Sequence, residues 1–116
     1  MSTKCIFCDI DGTLIKYREF SNYKSSKAEP INSTVKEINR AFNKGHNIIL
    51  TTGRKEGMRK STEDQLRRAG IIYDMLIMGI GGGSRVLIND LKPDRPGETA
   101  IAINLIRDSG VSHLDI

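Results

Sequence analysis

The fold is decided by the stretch Cys5-Ile6-Phe7-Cys8-Asp9-Ile10-Asp11-Gly12-Thr13-Leu14. Its first four residues form an apolar run, which is typical of a strand buried in a parallel sheet. Two carboxylates separated by one residue follow directly, and a glycine then turns the chain. Parallel sheets bind ligands at the carboxyl ends of their strands. Asp9 and Asp11 are therefore expected about 6–7 Å apart along the strand, at a ligand-binding edge.

These two acids have a simpler interpretation, because aspartate and glycine are common turn residues. Two carboxylates at the end of a buried strand repel each other, however, unless a positive charge lies nearby. A divalent cation is the natural partner, and Mg²⁺ prefers oxygen ligands of this kind. We therefore favour a metal site over a simple turn.

Three motifs occur in order along the chain and resemble those of the haloacid dehalogenase-like (HAD) superfamily of phosphotransferases. The first is Asp9-Ile10-Asp11-Gly12-Thr13. The second is Thr51-Thr52-Gly53-Arg54, just past a second buried strand, and the third is Asn89-Asp90, after a predicted fourth strand at 86–88. The resemblance implies an α/β, Rossmann-like, three-layer sandwich with a central, mainly parallel sheet and no separate cap domain.

The resemblance also implies a role for each motif residue. Asp9 would be the nucleophile that forms an aspartyl-phosphate, and Asp11 the general acid and base. Mg²⁺ would be held by the Asp9 carboxylate, by the backbone carbonyl of Asp11 and by Asp90. Thr52 and Gly53 would bind the phosphoryl group, and the alternative to Thr52 is its neighbour Thr51.

The cation that relatives carry between the third and fourth strands is displaced here. Arg85 comes at the right place in order, but a strand starting there would put it about 16 Å from Asp90. Lys92, just past Asp90, is the preferred candidate for binding phosphate, and Lys55 is a third option. The link of residues 79–85 is also short for a parallel crossover, which normally needs a dozen residues.

The remaining periodicity predicts helices alternating with strands, the pattern of a parallel α/β sheet. Apolar residues recur at helical spacing over 35–42. A charged helix is predicted over 55–69, a third strand over 75–78 and a final amphipathic helix over 98–107. Residues 112–116 are either a short last strand or a frayed end.

The length of 116 residues predicts one domain over 1–116. There is no room for a separate cap, so the polar segment 14–30 is expected to be a flap or lid-like loop. Its basic residues could attract an anion or simply be solvated; they are Lys16, Arg18, Lys24 and Lys27. Capless relatives often oligomerise, so the resemblance implies a homo-oligomer.

Composition excludes several classes of protein. No apolar run reaches the roughly 18 residues of a membrane span, and no signal peptide is evident, which predicts a cytoplasmic protein without membrane contact. Cys5 and Cys8 form a C-x-x-C, but positions three apart on a strand point to opposite faces, so a redox or zinc pair is rejected. The net charge of +4 suits an anionic substrate or nucleic acid and does not decide between them. The sequence has no zinc-finger or helix-turn-helix pattern, which leaves nucleic acid unlikely but not excluded.

The leading hypothesis is a Mg²⁺-dependent phosphatase of a phosphate monoester, on a small phosphorylated metabolite such as a sugar phosphate. The second hypothesis is a nucleic-acid end phosphatase. A signalling receiver domain is the third, and a non-catalytic phospho-binding module is the fourth. A receiver carries its phospho-acceptor on a middle strand, whereas Asp9 follows the first strand.

Overall fold

The computed structural model describes residues 3–19 and 27–111. Three parallel strands form one sheet in the order β1-β2-β3, with β1 at Cys5–Asp9, β2 at Asn47–Thr51 and β3 at Met75–Ile77. Helix α1, Asn32–Asn43, joins β1 to β2. A 3₁₀ turn at Glu56–Met58 and helix α2, Arg59–Arg68, join β2 to β3. The predicted parallel α/β fold is confirmed.

One face of the sheet carries the hydrophobic core. Cys8, Leu50 and Leu76 are register partners across the three strands and are buried in a cluster with residues of both helices. Ile38 of α1 and Leu66 of α2 complete this layer at 1% and 0% exposure. Adjacent residues of a strand point to opposite faces of the sheet, so every second residue of each strand faces this core.

The opposite face of the sheet is apolar and open among the described residues. Phe7 and Met75 lie in register with Ile49 between them, and they are 52% and 54% exposed. An apolar row of this kind normally lies under a second layer. It offers a surface that a second copy could cover, and the homo-oligomer expected from the sequence stays a prediction.

The predicted fourth strand at Val86–Ile88 is wrong. No strand occurs between residues 78 and 111, and the side chains of Val86 and Ile88 are 81% and 88% exposed. The sequence already contained the physical reason, because the link of residues 79–85 is too short for a parallel crossover. As a result, β1 pairs only with β2 among the described residues.

The predicted final helix over 98–107 is also wrong. This segment has no helical turn before residue 107, and Ile101 and Ile106 are 70% and 82% exposed. An amphipathic helix gains most of its stability from packing of its apolar face, and here that face contacts no layer. The segment 112–116, predicted as a short last strand or a frayed end, lies outside the described residues, and so does Lys24.

Arg107 and Asp108 contact the turn that follows β1 and the residues just after it. The Asp108 amide donates to the Gly12 carbonyl at 2.8 Å, and the Asp108 carboxylate accepts from the Tyr17 amide at 2.8 Å. The Arg107 guanidinium lies over the Tyr17 ring, 3.8 Å from its centroid. These contacts anchor residues 107–108 beside the turn that follows β1. No helix in the described ranges has the length and apolar character to cross a membrane.

Candidate active site

The turn after β1 presents both carboxylates of the first motif. Asp9 is the last residue of β1, and the Ile10 carbonyl accepts hydrogen bonds from the amides of residues 13, 14 and 15. Gly12 has a φ of +87°, a conformation that side chains other than glycine rarely adopt. The chain therefore reverses within four residues, and Asp11 stays near the end of the strand.

Asp9 lies in an electrostatic field that opposes its charge. Partial burial raises the pKa of the Asp9 carboxyl above its usual value, and the negative charge of Asp11 raises it further. The Ile10 amide, the Thr13 hydroxyl at 3.4 Å and the positive charge of Arg85 all lower this pKa but do not offset the burial. The site therefore favours the approach of additional positive charge.

The end of β2 places the second motif beside the first. Thr51 is the register partner of Asp9, so the two residues occupy neighbouring positions on one face of the sheet. Thr52 follows at 2% exposure, and its hydroxyl oxygen accepts the Arg54 amide at 3.1 Å. The structure thus brings both threonines to the Asp9 edge and leaves the choice between them open.

The glycine-rich link at residues 79–83 contacts the second motif closely. A Cβ placed on Gly53 would lie 2.8 Å from the Gly81 carbonyl oxygen, so only glycine fits at position 53 without a backbone shift. Arg85 donates to the carbonyls of Gly81 at 3.0 Å and Gly83 at 2.6 Å. This packing explains how Arg85, which does not begin a strand, contributes positive charge at Asp9.

Asp11 makes the best-defined side-chain contact of the site. The Arg54 Nε donates to its Oδ2 at 2.9 Å, and the Arg54 Nη2 donates to its Oδ1 at 2.8 Å. The side chains of Arg54 and Asp11 are 1% and 12% exposed, so this is a buried, bidentate ion pair. The sequence analysis places Arg54 at the end of the second motif and gives it no role.

Asp90 and Lys92 lie in the stretch after β3 that has no strand or helix among the described residues. They pair with each other, with their side chains 71% and 41% exposed. Within residues 3–19 and 27–111, no three His, Cys, Asp or Glu side chains cluster closely enough to hold a metal ion. The arrangement therefore supplies Asp9 and Asp11 of the predicted ligand set but not Asp90, and it does not form a complete magnesium site.

The other residues considered in the sequence analysis are Lys55 and the two cysteines. Lys55 is exposed at the start of the 3₁₀ turn. Cys5 and Cys8 are free thiols, one exposed and one buried, and burial raises the pKa of Cys8 to about 12. A thiol with such a pKa is protonated and unreactive near neutral pH, in keeping with a structural role.

A signal for the Asp11–Arg54 pair was present in the sequence. Both residues follow the carboxyl ends of strands predicted to be parallel, and such ends meet at one edge of a sheet. Arginine is also the side chain whose planar donors match a carboxylate in two places. No comparable signal placed residues 84–90, since their position depends on the path of the glycine-rich link.

Comparison with known proteins identifies the family to which the chain belongs. A model of the polynucleotide kinase PNKP phosphatase domain matches residues 3–85, from β1 through Arg85. It ends where regular secondary structure has already ended among the described residues. No curated protein matches the chain.

Two solved structures are similar. A chain from a Pnkp1/Rnl/Hen1 complex is 29% identical, with a TM-score of 0.58 over 72% of this chain and 30% of that chain. A structural-genomics target from Vibrio cholerae is 19% identical, with a TM-score of 0.54 over 78% of this chain and 85% of that one. The second similarity shows the fold alone. This chain spans less than a third of the length of its Pnkp1/Rnl/Hen1 counterpart.

The family model covers well over half of the chain and includes both motifs of the site, at 9–13 and 51–54. The chain therefore belongs to the HAD-like family of polynucleotide kinase PNKP phosphatase domains.

Proposed function

We propose that this chain removes the terminal phosphate from a polynucleotide end by way of an aspartyl-phosphate on Asp9. The observation that carries the chemistry is the meeting of Asp9, Asp11 and the two threonines at the ends of β1 and β2. Membership of the PNKP phosphatase family supports a nucleic-acid end as the substrate, in preference to the sugar phosphate expected from the motifs. The net charge of +4 is consistent with a polyanion.

The reaction proceeds in two displacements. In the first, an Asp9 carboxylate oxygen attacks phosphorus, the bond from phosphorus to the ester oxygen breaks, and Asp11 gives that oxygen its proton. In the second, Asp11 takes a proton from water, the water oxygen attacks phosphorus, and inorganic phosphate leaves with Asp9 restored. A threonine hydroxyl and nearby amides hold the transferred oxygens.

Phosphorylated oligonucleotides should be better substrates than small phosphate esters. We expect kcat/KM for a 3′- or 5′-phosphorylated oligonucleotide to exceed that for a sugar phosphate by about 10- to 1000-fold, because a positive protein field concentrates a polyanion. The advantage should shrink as salt increases, since nucleic-acid binding releases counterions. Phosphate release measured at several salt concentrations tests both points.

The matched control is the same oligonucleotide without its terminal phosphate, added as a competitor at fixed substrate concentration. It should inhibit hydrolysis if the strand itself is recognised. Equal kcat/KM for both substrate types, together with no inhibition by the competitor, would leave the phosphatase chemistry standing but overturn the nucleic-acid substrate.

Magnesium dependence is also part of the proposal. The raised pKa of Asp9 supports it, because a cation would stabilise the ionised nucleophile. The proposed ligands are Asp9, Asp11 and Asp90, and Asp90 would have to leave Lys92 to reach them. When bound, Mg²⁺ would offset the charge between the anionic nucleophile and the anionic substrate.

Substitution of Asp90 tests this ligand set. Activity should vanish with a chelator and return with Mg²⁺, and Asp90→Asn should raise the Mg²⁺ concentration for half-maximal activity at least about tenfold. Asp94→Asn, at a nearby exposed aspartate, is the control and should behave as the wild type. Full activity in the chelator would show that magnesium is not required. If Asp90→Asn needs the same Mg²⁺ concentration for half-maximal activity as the wild type, Asp90 is not a ligand.

A further inference from the structure

The Asp11–Arg54 pair belongs to a larger buried network. Arg54 also donates through Nη1 to the Thr62 hydroxyl at 3.0 Å and to the Gln65 side-chain oxygen at 2.9 Å. Both acceptors are on α2, and Thr62 is fully buried. One guanidinium therefore connects the turn after β1 to a helix on the packed face of the sheet.

The Arg54 backbone takes part in the same connection. Its amide donates to the Thr52 hydroxyl oxygen at 3.1 Å, and its carbonyl accepts the Gly79 amide at 2.7 Å. Arg54 thus contacts the acid of the first motif, the hydroxyl of the second motif and the start of the glycine-rich link. Of these three contacts, the guanidinium makes the one with Asp11, and the backbone makes the other two.

A buried ion pair of this kind is a weak source of stability. Removing two charges from water is costly, and the attraction between them often only balances that cost. Its geometry, in contrast, is restrictive, because a planar guanidinium with two parallel donors fixes the plane and the rotation of a carboxylate. The network is therefore suited to positioning Asp11.

The pairing leaves part of the Asp11 carboxylate open to another group. Each carboxylate oxygen has two lone-pair positions, and Arg54 occupies one on each oxygen. The Asp11 side chain also keeps 12% of its surface exposed. One set of lone pairs is thus held by the network while the other remains available at the mouth of the site.

From this geometry we infer that Arg54 is a positioning residue, which holds the Asp11 carboxylate in the orientation needed for proton transfer and acts on the reaction only through Asp11. The inference rests on the proposed phosphatase function. It adds a residue and a mechanism of orientation that the motif chemistry does not contain.

A double-mutant cycle tests the inference directly. Arg54→Ala should lower kcat about 10- to 100-fold with KM changed less than about twofold, because misplacing a catalytic group by about 1 Å costs this much. In an Asp11→Asn background, the same substitution should change kcat less than about threefold. Non-additivity of this kind is expected only when one residue acts through the other.

Three variants accompany the cycle. Arg54→Lys keeps the charge but cannot form the two-point contact, so it should recover only part of the lost kcat. Thr62→Val removes one bond to Arg54 without touching Asp11, so it should lower kcat less than Arg54→Ala does, and this effect too should disappear with Asp11→Asn. Arg59→Ala is the matched control on α2, because the partners of Arg59 are Glu56, Glu63 and the Leu76 carbonyl.

Each result is decisive. A kcat loss from Arg54→Ala that is as large with Asp11→Asn as without it makes Arg54 merely structural, and so does full recovery in Arg54→Lys. If Arg54→Ala does not fold, the Thr62→Val cycle answers the same question. If the wild-type protein is inactive, the proposed function is rejected. If the wild-type protein is active and Arg54→Ala has the same kcat, only this inference is rejected.

Discussion

The substitution Asp9→Asn is expected to abolish phosphate release, with a loss in kcat of at least about 10⁴-fold, because an amide cannot serve as the nucleophile. The fold should be retained. Burial and the charge of Asp11 raise the pKa of Asp9, so the ionised carboxylate destabilises the folded state at neutral pH. Asn at this position should leave the free energy of unfolding unchanged or raise it.

The measurement pairs steady-state kinetics with urea unfolding, and Asp94→Asn serves as the control for loss of a carboxylate elsewhere. The pH dependence has a definite sign. Because the folded-state pKa of Asp9 lies above its unfolded value, the wild type should lose stability relative to Asp9→Asn as the pH rises through the folded-state pKa. An active Asp9→Asn enzyme, or one that is unfolded, contradicts this assignment.

The second large effect is expected from Asp11→Asn, and it should depend on the leaving group. With an alkyl phosphate such as a nucleic-acid end, kcat should fall about 10²- to 10⁴-fold, because the ester oxygen leaves without a proton. With an aryl phosphate the first step needs no proton, so the phosphoenzyme should form and then hydrolyse slowly. A burst of about one phenolate per enzyme should therefore precede the slow steady state.

Asn retains an oxygen that can accept one of the two Arg54 bonds, which makes it the mildest replacement for Asp11. It still removes a charge opposite a buried guanidinium, so rates must be normalised to the folded fraction. Rapid-quench kinetics with both substrates separates the two steps. Equal losses on alkyl and aryl phosphates, without a burst, would argue that Asp11 does not transfer protons.

The part of the fold that could be predicted is the part in which local pattern and packing agree. The apolar runs at β1 and β2 and the helical spacing over 35–42 all lead to elements buried on the core face, and these elements form as expected. The acids and threonines follow from the same strands, because parallel strands bring their carboxyl ends together.

The segment after β3 could not be predicted from pattern alone. Val86–Ile88 has the composition of a strand and 98–107 the periodicity of an amphipathic helix, but either element needs a partner layer. The glycine-rich link at 79–83 packs on Gly53 instead of crossing the sheet, so neither segment gains one. The exposure of Asp90 and the approach of Arg85 to Asp9 both follow from this path.

The central claim is that Asp9 becomes covalently phosphorylated during turnover, and trapping that species tests it most directly. The Asp11→Asn protein would be mixed with an aryl phosphate, quenched in acid, reduced with borohydride and digested with trypsin, which releases the peptide Cys5–Lys16. The account predicts that reduction converts residue 9 of this peptide to homoserine, and that Asp9→Asn gives no such product. Turnover that leaves residue 9 unmodified, or that modifies another residue, would contradict it.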